Sequence, residues 1–446
     1  MSSNYKRFEL FWLIISIICL GTAGLYSIAV SMMRLPAIYE IFHLPDFFKI
    51  SLVIHVTLSI NVWFMVIGMY NMQIFLKKSY VTRILKYIVG LGIGLIIVSG
   101  FIPYSSAVII NYIPLIDNLY FIAGLGLFLG AFLAISCVTL IKLLKEKKEI
   151  FSNIQNHFLF SISFSTIIAY LCLVGSYLIN KDYIRPGIKF NLEEFSWGAG
   201  HILQFTFVEI GFLCLIRNLG EYNHFLNLKE LPKWFNWFLL LKIIVLVIAP
   251  FFYLSSNYYE LFTMHMRDSI GLFLIPTLYL IIKNLPFVAW KKYQHYSMIG
   301  LILMIVMNVY GGVLGFSIRE INVTVPAHYH GSLLAITITI MSFFYGAISD
   351  IAKKTNIVIF TTRIRKILFI QLISYGVGNI MHISGLMVMG GYGALRKTPG
   401  DIPLNVFFGK NLFMIGSLLS VAAGITFIVF GMYALQKIMN KKNSVY

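Results

Sequence analysis

Ten histidines are spread over 446 residues, and six of them fall inside long apolar stretches where an ionisable side chain is costly. His328 and His330 stand two apart in "VPAHYHGS"; His55 lies in "VIHVTLSINVWF", His201 in "WGAGHILQF", His265 in "FTMHMRDS", and His382 completes the six. Imidazole does two kinds of chemistry near neutral pH: it carries protons, and it ligates iron, copper or zinc. The His-x-His pair narrows the geometry. Residues i and i+2 of an α-helix are about 200° apart, so the two rings point to opposite sides and cannot easily share one metal ion. They must serve two sites, and a helix standing between two planar haems, giving an axial ligand to each, meets that requirement.

The elements that carry these residues follow from composition. The chain is 59% hydrophobic and 16% aromatic with only 12% charged residues, the profile of a polytopic membrane protein. Weakly charged runs of roughly 20 residues, enough for a helix to cross hydrocarbon, number about twelve. They begin near Phe8, Phe47, Ile84, Leu119, His157, Trp197, Phe235, Tyr259, Tyr296, Val325, Ile367 and Asn411. The expected fold is an all-α integral membrane protein, a single domain of twelve transmembrane helices over 1–446, with no internal repeat or low-complexity linker. At about 1.5 Å rise per residue, the six histidines then share one layer in the outer third of the membrane. His43, His157, His224 and His295 map to loops or span ends. A lone histidine near a helix end often only hydrogen-bonds a neighbouring helix; six at one depth mark function.

The formal charge of +18 is topological. With the N-terminus in the cytoplasm, inner segments hold 24 Lys and Arg and outer segments 9, which fits the positive-inside rule and places both termini in the cytoplasm. Nucleic acid is not an expected partner. The apolar run near the N-terminus continues through Ile28, as in a retained first span. Cys19, Cys137, Cys172 and Cys214 fall within spans and form no CxxC or CxxCH, which argues against disulfides and covalently attached haem.

Taken together, the twelve spans and the order of histidines among helices two, six, eight and ten resemble catalytic subunit I of the haem-copper oxidase superfamily. "HVTLSINVWF" looks closest to the C-type oxidase and nitric oxide reductase branch. The resemblance implies that His55 and His330 hold a low-spin haem, that His328 is the proximal ligand of a high-spin haem, and that His201 and His265 are ligands of copper or non-haem iron. It also implies that Arg396 and Lys397, in "GGYGALRKTPGD", bind haem propionates, a task suited to guanidinium. The haems would be b-type or related and held non-covalently.

The chain departs from the family in informative places. A His-His pair usually completes a three-histidine metal site, whereas here His265 stands alone between Met264 and Met266, whose thioethers are more often packing than ligands. Phe205 occupies the position where many oxidases have a tyrosine, leaving Tyr253 on helix seven as the candidate catalytic tyrosine or else an interfacial aromatic. Glu209, eight residues after His201, matches one of the two reductase glutamates. Thr277 and Tyr279 are candidates for a polar proton line along helix eight. Glu209 and Lys242 lie at depths, counted along consecutive antiparallel helices, that let them meet as a buried ion pair; Glu209 could also pass protons toward the His201 pocket. His382, Arg267 and Asp268 receive no role.

The resulting expectation is a respiratory terminal oxidase subunit I in a bacterial cytoplasmic membrane, reducing oxygen to water. Its partners would be membrane lipid, a cytochrome c or quinol donor and further oxidase subunits. The alternatives are a nitric oxide reductase-like subunit, a degenerate haem protein that lost its second metal, and a proton-coupled transporter. The transporter reading is weakened because the histidines cluster away from the midplane and no repeat relates two halves.

Overall fold

Apolar runs of this length leave their backbone no water to bond, so each N–H and C=O must be satisfied within one helix. A computed structural model of the chain describes residues 3–34, 36–42, 45–77, 80–181, 191–222, 231–285, 287–291, 295–318, 322–392 and 407–443. Among them are twelve helices long and apolar enough to cross a membrane: Glu9–Met33, Asp46–Leu76, Val81–Ser99, Leu119–Lys145, Ile154–Asn180, Leu192–Asn218, Lys233–Leu254, Tyr258–Asn284, Tyr296–Phe316, Thr324–Lys354, Thr362–Gly391 and Phe407–Asn440. The protein is an all-α, multi-spanning integral membrane protein. Its sixth span starts five residues before the expected Trp197, because Glu193 and Glu194 fill the first turn. A search for uncharged runs passes over them, yet acidic groups suit a helix N-terminus, and Asn191 caps it by accepting from Glu194 N at 3.3 Å.

The chain falls into two compact units. The first comprises Met1–Trp63 and Val288–Tyr446, that is span one, the opening of span two and spans nine to twelve. Spans nine and ten meet backbone to backbone at Gly311 and Gly331, where a Cβ on Gly331 would lie 2.5 Å from Gly311 Cα. This contact sits directly beside His328 and His330. The second span is α-helical through His55 and then winds as a π-helix over Thr57–Val62, a widened turn frequent at functional sites. Trp63 closes that turn, donating from its indole nitrogen to Ser16 Oγ at 2.7 Å.

The second unit comprises Phe64–Phe287, the rest of span two and spans three to eight. Between spans three and four the chain makes a small antiparallel hairpin, Ser106–Val108 with Leu115–Asp117, in register Ser106 to Asp117, Ala107 to Ile116 and Val108 to Leu115. The turn of this hairpin carries Tyr112. Span seven tightens into a 3-10 turn, Ala249–Leu254, at Pro250, and this turn carries Tyr253.

Candidate functional site

In the first unit the two histidines of span ten face different neighbours. His328 places Nδ1 2.8 Å from the carbonyl oxygen of Gly311 on span nine, with its ring over Gly315. The ring of His330 stands edge-on to His382 of span eleven, with centroids 5.4 Å apart. His382 is held in turn by Ser417, Nδ1 to Oγ 2.8 Å, and its ring packs on Phe413. On span two, His55 Nδ1 lies 3.0 Å from the Ala23 carbonyl of span one, and the His55 carbonyl accepts from Ser59 Oγ at 2.6 Å.

His55 and His328 share one arrangement. A carbonyl that takes the Nδ1 proton fixes the tautomer and leaves Nε2 as the lone-pair nitrogen, the arrangement that metal-binding histidines use. His55 and His328 both have it, and His55, His328 and His330 are half-buried rather than sealed in the core. Arg396 and Lys397 lie outside the described residues.

The second unit gathers His201, His265, Tyr253, Glu209 and Lys242. His201 Nδ1 is 2.8 Å from the Trp197 carbonyl and Nε2 is 3.1 Å from the hydroxyl of Tyr112. Tyr112 presses on Gly200 and meets Trp197 edge-on. His265 bonds through Nε2 to the Val245 carbonyl at 2.8 Å, while its buried Nδ1 has no partner. Phe252 packs against both His265 and Phe262, and Phe262 is also the neighbour of His201. With both nitrogens of His201 engaged, these residues do not fit a second metal in this arrangement. Among the described residues no group of three or more His, Cys, Asp or Glu is placed to hold a metal ion. Met264 is exposed rather than packed in the core.

Tyr253 is buried, its ring against Gly175 of span five and its hydroxyl against Gly198 of span six. Thr277 and Tyr279 are not brought together. The Thr277 hydroxyl is buried and donates to the Phe273 carbonyl, whereas Tyr279 is exposed beside Trp234. Residues two apart on a helix point nearly opposite ways, so the two side chains face different surroundings. Glu209 and Lys242 do meet: Nζ donates to Oε1 at 2.7 Å, with the side chains 0% and 1% exposed.

Two residues of this unit escape a search by depth. Tyr112 comes from a connecting hairpin, and nothing in its local sequence shows that it reaches His201. His157, expected at a span end, is fully buried. Its signal is the spacing His157, Ser161, Ser165, which repeats every fourth residue and so lines one helical face.

No family model matches the chain. An uncharacterised protein of Rickettsia prowazekii (strain Madrid E) is 27% identical over 487 residues, spanning 94% of each chain. A second uncharacterised protein, from Aquifex aeolicus (strain VF5), is 27% identical over 376 residues, 79% of this chain and 89% of that one. Among solved structures, that of a haem-copper terminal oxidase dimer, determined by cryo-EM, matches with a TM-score of 0.70 at 13% identity, covering 99% of this chain and 84% of that one. The likeness establishes the fold, the twelve-helix bundle of haem-copper oxidase subunit I.

Proposed function

We propose that this chain is a membrane-bound haem oxidoreductase that takes electrons from a cytochrome c or quinol donor and reduces a small gas, oxygen to water in the first reading and nitric oxide to nitrous oxide in the alternative. The observation that carries the reading is the opposed placement of His328 and His330 on one helix, with His328 and His55 each presented by a backbone carbonyl at Nδ1. His55 and His330 would hold the low-spin haem and His328 the high-spin one. When bound, haem would supply one-electron chemistry for reduction of the gas. The protein's own groups do the rest. Arg396 and Lys397 neutralise propionates, the carbonyls of Ala23 and Gly311 fix ring orientation, and Glu209 with Lys242 relays protons. Tyr253 and Thr277 stand as lesser candidates for that transfer. The reading includes further oxidase subunits and a bacterial cytoplasmic membrane with both termini inside.

A second reading has its own support. The engagement of both His201 nitrogens favours a haem protein that works without copper or non-haem iron. A reduced-minus-oxidised absorption spectrum with metal analysis on the purified chain tests both. Two haems per chain with a stoichiometric extra metal support the gas reductase, and two haems alone support the second reading. A chain isolated from haem-sufficient cells without haem refutes both.

A further inference from the structure

In the second unit, at the end where spans five and seven begin and span six finishes, the Glu209–Lys242 pair adjoins polar groups that the reading above does not use, His157 and Ser161 foremost. His157 is the fourth residue of span five, Ile154–Asn180, and is fully buried. Neither of its ring nitrogens has a hydrogen-bond partner. Its ring lies against Phe235 of span seven, centroids 4.7 Å apart, and Phe158, 5.6 Å. Those same two rings face the ammonium of Lys242, at 5.9 and 5.6 Å. The ammonium is bonded to Glu209 Oε1, while Glu209 Oε2 is unpartnered. Ser161, one turn beyond His157, lies beside Glu209, and its hydroxyl too makes no hydrogen bond of ordinary geometry. One turn further, Ser165 Oγ and Thr206 Oγ1 of span six are 2.8 Å apart.

Four buried polar atoms left open in one place, two on His157 and one each on Ser161 and Glu209, are unfavourable unless something common satisfies them. A cation is opposed by Lys242 and an anion by Glu209. Water offers both donors and acceptors and is held where two to four polar partners converge. We propose that this cluster is an internal water site, and that His157 is its proton-carrying group, linking that end of the bundle through water to Glu209. Imidazole suits the task because its two nitrogens take and release a proton near neutral pH. The charged group facing it is Lys242 on span seven, which is paired with Glu209 of span six; Arg217 on span six is tied to Gln155 Oε1 at 3.3 Å. The column His157, Ser161, Ser165 then points the route along the seam of spans five and six.

The destination of the protons rests on the proposed function; the water site does not. A cryo-EM map of the full chain in nanodiscs, at a resolution that shows ordered water, should place at least one water within hydrogen-bond distance of a His157 nitrogen. A dry His157 overturns the proposal. In haem-replete protein, His157→Gln keeps a hydrogen-bonding side chain but cannot carry the proton, so turnover should fall by about tenfold or more with unaltered haem spectra. Turnover close to wild type overturns the proton role even if water is seen. Wild-type protein without haem would sink the proposed function, and the water site would then stand or fall on the map alone.

Discussion

Glu209→Gln should destabilise the protein far more than an isosteric change at a surface. The pair is buried on both sides, and at 2.7 Å with an effective dielectric of roughly 20 its Coulomb attraction is about 6 kcal/mol. Part of that offsets the cost of taking two charges out of water, and loss of one partner of a buried pair costs about 3 to 5 kcal/mol. Glutamine leaves the Lys242 ammonium among Phe158, Phe235 and Phe273 with no counter-charge, so this variant should lie at the upper end. Lys242→Met should cost less, because the stranded carboxyl can take up a proton. Combining Glu209→Gln with Lys242→Met removes both charges and should return stability to near wild type, a coupling of more than about 2 kcal/mol. Denaturant-induced unfolding in detergent, followed by circular dichroism for all four proteins, measures it. A double variant whose loss equals the sum of the singles to within about 0.5 kcal/mol refutes the reasoning.

His330→Ala should abolish the low-spin absorption and leave high-spin haem, and His328→Ala should do the reverse; equal loss of both haems from either folded variant contradicts the division of labour. Prolonged dialysis against a strong chelator should strip any copper or non-haem iron while both haems stay, and a stoichiometric metal surviving it would show ligands beyond His201 and His265. Gly331→Ala should force spans nine and ten apart at Gly311 for about 1 to 3 kcal/mol and perturb both haem bands at once, read as thermal stability and absorption; an unchanged melting temperature argues against the close packing.

The spans and the opposed histidines of span ten are legible in the chain because both follow from short-range rules: apolar length for the first, about 100° per residue for the second. The Glu209–Lys242 pairing is legible for a related reason, since consecutive antiparallel helices let depth be counted from both ends. Tyr112 is not, because a loop residue's reach depends on how its hairpin lies on span six. His157 looks like a span-end residue in one dimension; Phe235, brought by span seven, is what helps seal it. Thr277 and Tyr279 face different surroundings, as their two-residue spacing already implies. Arg396 and Lys397 fall where no structure is described.

The π-wound turn after His55 has a consequence for how the second span tolerates change. Such a turn holds in effect one residue more than an α-turn, and one residue is worth about 100° of helical phase. Before it, His55 must meet the Ala23 carbonyl; after it, Gly68 must sit against Ile210 and Phe132, where a Cβ would come within 2.9 Å of Ile210 Cδ1. Deleting one residue within 57–62 would turn the residues on one side of the turn by about 100° against their own neighbours, so this stretch should tolerate substitution far better than any change of length.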